Sequence, residues 1–585
     1  MVSSQNLSFN EKSSEKSSFL RFAFLATIVL WCAIPLSPNT VDSDFWGHVT
    51  YGQDTLEHGV AETATYTFTA QGHPWINHEH LSEIIFAMGV NHLGVESLLV
   101  LKAVLGCGVL LLMIRHGLQQ KVHSIILGSV CVIVAINLSY YWGLRPHVLT
   151  FTFFALLITL TDWCFAGWSG RWNLPWPDFP ASTDRQLSTQ RLYGLWLCPP
   201  LLCIWANTHG GFLAGLAVFI AILSCRAVEI FAIGKEGRGR IIVHLICLMG
   251  VGIGATFVNP HGMQLHTWLV DSLGVPRPEI QEWHPPDLFT ADALKTWLLF
   301  GFLGIGFVFS RQPRDFTQLI VIGLVLTQAL SHQRHMPFVA LLCGFWLPVH
   351  LESIWQRLRV SICIPDDLKI SSATSAVACL LLLVLAAIFA GQAGRRLGSL
   401  EVRRDAYPVS AVQYMADQGL AGKLVVSGRW AQYALGVMGA RKPGDSGVEV
   451  AFDGRFRTCY PQEIVDLHFD FFVGNGGPAQ RYRSPDSPPT DPKRILMSHQ
   501  PDLVLLNRRQ QHAANVIRTA KSDWVLLYQD ELAELWGRAQ EFDREASPRY
   551  IPKSRRVIGL TKQHGTVPWP AAPRMRLSGD LVLAP

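Results

Sequence analysis

V-D-S-D-F-W-G-H (Val41 to His48) is followed by Y-T-F-T (Tyr66 to Thr69) and by P-W-I-N-H-E-H-L-S-E (Pro74 to Glu83). Acids, histidines and aromatics crowd together here, between one apolar run that ends at Leu36 and another that begins at Val95. Roughly 20 apolar residues in helical form cross about 30 Å of hydrocarbon. A chemically equipped segment between two such runs therefore reads as the first loop between two membrane-crossing helices. The first loop is placed at residues 37–94.

Outward from that loop, the 585 residues keep the same character: 49% are hydrophobic and only 16% are charged. Apolar runs recur at Phe19–Leu36, Val95–Ile114, Ser124–Tyr141, Val148–Trp163, Leu192–Ala206, Phe212–Ile233 and Ile241–Val258. Further runs are Thr296–Ser310, Phe316–Leu330, Met336–Leu351 and Ser375–Ala390. The expectation is a polytopic α-helical membrane protein of about eleven spans over residues 19–393. A polar N-terminus, residues 1–18, precedes it and is too poor in apolar residues to fold by itself. Pro35, Pro38 and Asn39 stand where a signal-peptide cleavage site would need small residues, so the first run is expected to be a retained helix.

The net charge of +5 is modest, and the basic residues are scattered rather than gathered in a stripe, which argues against nucleic acid as a partner. Of the 12 cysteines only Cys459 lies in a polar region, so no disulfide framework is expected. With the N-terminus inside, the inner connections contain Arg115, Lys121, Arg171, Arg185, Arg191, Lys235, Arg238, Arg240, Arg311, Arg314, Arg357, Arg359 and Lys369. That is the distribution expected of cytoplasmic loops. The outer connections are chemically different: G-L-R-P-H (Gly143 to His147), N-T-H-G-G (Asn207 to Gly211), N-P-H-G (Asn259 to Gly262), Q-E-W-H-P-P-D (Gln281 to Asp287) and H-Q-R-H (His332 to His335). Capping of helices by Asn-Pro and His-Pro pairs accounts for one or two of these clusters. The concentration of His, Asn, Trp and acid on one face points to a shared outward-facing site.

Residues 394–585 change composition. Short apolar runs at Leu424–Ser427, Val448–Phe452, Leu503–Leu506 and Trp524–Tyr528 alternate with helical stretches such as Ala411–Gln418 and Gln511–Ala520. The pattern predicts a small soluble α/β domain. An odd number of spans puts it outside, whereas Arg395, Arg396, Arg403 and Arg404 would suit the inside.

Several residues could carry chemistry. Asp42 and Asp44 at i, i+2 in a loop can both reach one substrate hydroxyl or one divalent cation such as Mg2+ or Mn2+. Their bland alternative is a helix N-cap at Asp44. His78, Glu79, His80 and Glu83 could share a site or a metal, or Asn77 could simply cap a helix with Glu79 in its first turn. Arg145, Arg334 and His335 are candidate phosphate ligands, the alternative being snorkelling toward headgroups. His48, His147, Asn207, His209, Asn259 and Glu282 are the remaining candidates for substrate binding. F-D-G-R-F-R (Phe452 to Arg457) reads as a turn. No Gly-rich phosphate loop and no H-E-x-x-H zinc motif occurs.

The succession D-x-D-x-W, Y-T-F-T, P-W-x-N-H-E, G-L-R-P-H, W-A-N-T-H-G-G, N-P-x-G and E-W, from Ser37 to His335, with F-D-G-R in the tail, resembles a family of bacterial multispan proteins described as GT-C-type glycosyltransferases. It is more distantly similar to protein O-mannosyltransferases and to the oligosaccharyltransferase catalytic subunit. The resemblance implies an acidic motif in the first outer loop, a polyprenyl-phosphate-linked sugar donor and inversion at the anomeric carbon. It makes Asp42 or Asp44 the base or the metal-site acid and matches Arg334 to an arginine near the last outer loop. Gly47 departs from the pattern, standing where an aromatic is common.

The expected function is transfer of a sugar from a lipid-linked donor to a glycan, lipid or protein acceptor outside the bacterial plasma membrane. A transporter or flippase would need charged residues within spans and an internal repeat, neither of which is plain in the sequence. A non-catalytic envelope assembly protein whose tail binds a partner is the third reading.

Overall fold

The computed structural model describes residues 19–168, 187–233, 237–361, 372–440, 447–477 and 479–574. The N-terminal residues 1–18 and the inner-loop residues Arg171, Arg185, Lys235 and Lys369 lie outside the described residues. The chain divides into two compact units. One is built from Met1–Pro38, Leu99–Asn259 and Glu282–Gly398, the other from Asn39–Leu98, Pro260–Gln281 and Ser399–Pro585.

The first unit is helical. Among the described residues, 7 helices are long and apolar enough to cross a membrane: Val95–Gln119, His147–Cys164, Phe212–Ala232, Arg238–Ala255, Ala291–Phe309, Gln333–Val360 and Ala373–Leu397. Phe19–Ala33, Ser124–Ser139 and Phe316–Ser331 are apolar but shorter. The expected span Leu192–Ala206 takes a different form. Its helix is only Cys198–Ala206, with prolines in the first turn, preceded by the 3-10 turn Tyr193–Leu197. Pro199 and Pro200 cannot donate into a preceding helix, so the chain restarts there. The helix Ser372–Leu397 exposes Leu380, Leu381, Leu383 and Val384 along its apolar length. Lipid can solvate such a helix because its backbone groups are bonded internally. At its end Arg396 Nη1 donates at 2.7 Å to the Ile34 carbonyl, just past the end of the first helix, where the Ser37 amide also donates at 3.2 Å.

The second unit is built on a six-stranded mixed sheet with the order β3-β2-β4-β6-β5-β7. The strands are β2 (Gly422–Val426), β3 (Val448–Val450), β4 (Leu503–Asn507), β5 (Trp524–Gln529), β6 (Ala533–Arg538) and β7 (Val557–Ile558). β2 runs parallel to both β3 and β4, whereas β6 is antiparallel to β4 and β5. A separate ribbon pairs β1 (Glu401–Arg403) with β8 (Thr566–Pro568). The period of two along each strand sends alternate side chains to opposite faces. Leu424, Val426, Leu503 and Leu505 pack with Ala411, Met415, Trp430 and Leu435 from the helices Val409–Asp417 and Gly428–Met438. Val425, Val504 and Leu506 pack on the other face with Val465 and Phe471 of the helix Gln462–Phe472 and Ala513 and Ile517 of Gln511–Thr519.

That second face also buries Tyr51, Phe68 and Trp75. Residues of the expected first outer loop are thus part of the core of the sheet domain. Backbone pairing reinforces this: Phe68 N donates to the Val450 carbonyl at 3.3 Å, Val450 N to Tyr66 at 3.1 Å and Ile76 N to Thr458 at 3.0 Å.

The F-D-G-R turn fastens the same segment. The Arg455 guanidinium donates to both Asp453 carboxylate oxygens and, through Nη2, to the Thr65 carbonyl at 2.6 Å. It lies 4.8 Å from the Tyr51 ring centre and 4.7 Å from that of Trp75. Burial acts against the charged guanidinium, but the adjacent Asp453 carboxylate outweighs it and holds Arg455 protonated far above its ordinary range. A buried cation between aromatic faces with a bidentate acid partner is well compensated.

Candidate active site

Two helices bring the acids and histidines of the loop together. Phe45–His58 begins at Asp44, and His80–Leu93 begins at Glu79. The capping alternatives, Asp44 for one helix and Asn77 for the other, are not what the structure forms: the cap positions are Asp44 and Glu79, and neither makes a side-chain cap bond. Asp42 Oδ1 instead accepts from the Asp44 amide at 3.0 Å, and Asn77 Oδ1 accepts from the Glu79 amide at 3.2 Å. These short Asx turns hold both entry points. The helices approach closely because residue 52 is glycine. A Cβ there would stand 2.0 Å from the Glu83 carbonyl oxygen.

Between the helices His48 Nδ1 lies 3.2 Å from Glu83 Oε1, and Asn77 Nδ2 donates to Glu83 Oε2 at 2.8 Å. All three side chains are buried. Nitrogen and carboxylate atoms of His48, Glu79 and Glu83 lie within 4.8 Å of one another. Burial pulls the His48 pKa down. The hydrogen bond to Glu83 and the charges of Glu79, Glu83 and Asp44 outweigh it and raise it to about 9. His80 and His261 both donate to the Asn77 carbonyl, at 3.3 Å and 3.2 Å, and burial lowers the pKa of each. The His78 ring sits 5.6 Å from Trp268.

The donor set of one imidazole and two carboxylates suits a borderline cation of the Mn2+ or Zn2+ kind better than Mg2+, which prefers oxygen ligands throughout. Binding such an ion requires His48 to give up its proton.

The candidates in the helical unit form their own groups. Arg145 Nη1 donates to Glu282 Oε1 at 2.8 Å. The Arg334 guanidinium stacks 4.8 Å from the Trp283 ring, and His335 stacks on Phe338. His147 and His209 rings are 6.3 Å apart. His209 Nδ1 accepts from the Gly211 amide at 2.9 Å, so the Thr150 hydroxyl, 3.0 Å away, donates to the same nitrogen. Asn207 serves the backbone, donating to the Val258 and Cys203 carbonyls at 2.8 Å. Asn259 does the same at Thr256, 2.9 Å away.

Sequence reasoning grouped Glu83 with His78–His80 but paired neither with His48, because the two lie on different helices. It missed Arg455 as an anchor and Gln432 altogether. Nothing in a mid-helix glutamine of the tail signals a contact with the loop.

No protein-family model and no curated protein matches the chain. Among solved structures, the apo oligosaccharyltransferase of Archaeoglobus fulgidus superposes with a TM-score of 0.51 at 13% identity, covering 84% of this chain and 69% of that one. The fold resembles that of an archaeal oligosaccharyltransferase. A second structure of the Archaeoglobus fulgidus enzyme AglB, in complex with an inhibitory peptide and a dolichol-phosphate, gives a TM-score of 0.50 at 11% identity over 88% of this chain and 73% of that one. The distant similarity to oligosaccharyltransferases is therefore a similarity of fold.

Proposed function

We propose that the protein is a multi-pass membrane glycosyltransferase that moves a sugar from a polyprenyl-phosphate-linked donor to an acceptor outside the bacterial plasma membrane, with inversion. The observation that carries this is the His48–Glu79–Glu83 cluster on the helix that Asp44 opens and its neighbour, in a chain whose fold is similar to that of AglB. The dolichol-phosphate and peptide in the AglB complex support a lipid-linked donor and an acceptor carrying a nucleophile. The division into a span-bearing region at 19–393 and a sheet domain at 394–585 facing outward belongs to the same proposal.

In this reading Asp44 or Asp42 takes the proton from the acceptor nucleophile. His48, Glu79 and Glu83 would hold a divalent cation. When bound, that ion supplies positive charge to the phosphate oxygens as the sugar–oxygen bond breaks. Arg145 and Arg334 are the cations assigned to neutralise the departing phosphate. Inversion follows from one direct displacement, in which the acceptor bond forms as the phosphate leaves.

Membrane vesicles given radiolabelled polyprenyl-phosphate sugar test this. Transfer by the wild-type chain, abolished in Asp42→Asn or Asp44→Asn, supports it; full activity in both variants refutes the mechanism. One observation favours a transporter instead. Arg226 lies buried among the apolar helices, bonded to Glu229 at 2.8 Å and to Asp315 at 2.7 Å. Charge within spans often marks a substrate path. Lipid-linked sugar moving between leaflets of proteoliposomes, without transfer, would select that reading.

A further inference from the structure

The loop that carries Asp42 and Asp44 does not hold its own shape. The Asx turn at Asp42 fixes one amide, and the Asp44 carbonyl accepts the first helical bond from the His48 amide at 3.0 Å. A second donor reaches that carbonyl from the helix Gly428–Met438. With its amide nitrogen toward the loop, Gln432 donates to the Asp44 carbonyl at 2.9 Å and to the Ser43 carbonyl at 3.3 Å. Gln432 is buried, so a lost bond is not replaced by bulk water.

The surroundings are shaped around this side chain. A Cβ at Gly47 would come within 2.6 Å of Gln432 Cδ, and one at Gly454 within 2.7 Å of the other end of the amide, its oxygen in this orientation, and 2.8 Å of Asp44 Oδ1. Two glycines from separate segments thus leave the space that the amide fills. This also accounts for Gly47: an aromatic residue there would expel Gln432. Trp46 next to it is held by the same helix, edge-on to Tyr433 with ring centres 5.0 Å apart, and its Nε1 donates to the Pro570 carbonyl at 3.0 Å.

We propose that Gln432 is a positioning residue of the C-terminal domain that sets the backbone of the Asp42–Asp44 turn and the first turn of the His48 helix. The proposal rests on the glycosyltransferase reading only for its effect on rate; the clasp itself is a statement about the loop. Gln432 acts through Asp44 and His48, since its amide is spent on two carbonyls. Substitution leaves those carbonyls buried with fewer donors, and the turn samples other conformations. Donor binding groups elsewhere are untouched.

The test uses the full chain in nanodiscs, with Gln432→Met (similar volume, no donor) and Gln432→Glu (similar shape, no amide donor). Hydrogen exchange of the amides of residues 42–48 is expected to rise about tenfold in both variants, the factor that corresponds to one lost buried hydrogen bond. Exchange along Leu503–Asn507 should stay as in wild type. Transfer assays are expected to show kcat down about tenfold, with KM for the lipid-linked donor within about twofold. Unchanged exchange at 42–48 overturns the clasp, as does a rise of the same size along Leu503–Asn507, which would mark a general packing role. Wild-type protein that transfers no sugar refutes the glycosyltransferase reading instead, and the exchange result then decides the clasp by itself.

Discussion

His48 Nδ1 and Glu83 Oε1 are 3.2 Å apart, between two helices whose close approach depends on glycine at position 52. The pair joins a residue from the D-x-D-F-W-G-H stretch to one from the P-W-I-N-H-E-H-L-S-E stretch, 35 positions along the chain. It is the link that turns two polar motifs into one cluster.

The pair makes stability depend on pH in a defined direction. The His48 pKa stands at about 9 in the folded chain against 6.5 for the ordinary side chain. A raised pKa stabilises the fold fully below about pH 6.5, and the contribution fades as pH rises through about 9. The expected loss is about 3 kcal/mol, which thermal melts from pH 6 to 10 would show. His48→Gln should flatten that dependence.

The same proton competes with a cation at His48, Glu79 and Glu83. Mn2+ or Zn2+ added to the resting protein should release close to one proton, measurable calorimetrically in buffers of different ionisation enthalpy. Glu83→Gln should weaken binding about tenfold or more and abolish most of the release. Binding of equal strength in that variant would place the ion elsewhere.

Gly52→Ala should separate the two helices. Its Cβ meets the Glu83 backbone oxygen at 2.0 Å, and backbone yields less readily than a side-chain tip. The expected cost is about 2 kcal/mol or more, seen as a lowered melting temperature together with loss of the pH dependence described above.

Arg455→Leu should release the loop from the sheet domain. It leaves Asp453 as a buried, unbalanced carboxylate beside Tyr460, whose hydroxyl donates to it at 2.8 Å. Breaking a buried pair from one side costs about 3–5 kcal/mol. Limited proteolysis should then cut between Gly59 and Trp75 faster than in the wild-type chain.

Glu282 restrains Arg145 in the resting structure. If Arg145 receives the donor phosphate, Glu282→Gln removes a competing negative charge and should tighten donor binding by about fivefold, close to 1 kcal/mol. Arg145→Ala should weaken it instead. Donor-binding isotherms for the two variants would move in opposite directions.

Much of the helical unit was legible because length and apolarity alone decide it. The runs at Val95, Phe212 and Phe316 begin helices where expected. The run at Leu192 was harder, since a hydropathy window does not register that Pro199 and Pro200 interrupt the helix. In the tail, β2, β4 and β5 announced themselves as Val- and Leu-rich runs. β6, which lies between β4 and β5, did not. Its A-E-L-W-G-R sequence carries Glu534, buried only because Arg518, Arg508 and Trp536 bond its carboxylate. Individual site residues were visible as types. Their grouping was not: which imidazole meets which carboxylate depends on the packing of two helices, and the contribution of Gln432 depends on a fold formed from distant segments.

The burial of Tyr51, Phe68 and Trp75 in the sheet core has a temporal consequence. A ribosome making this chain releases those aromatics long before it reaches Val504 and Leu506, against which they come to rest. For most of synthesis the acidic turn therefore has no partner to shape it. That packing is complete only once Val504 and Leu506 have emerged, so a translation product that stops before them lacks it.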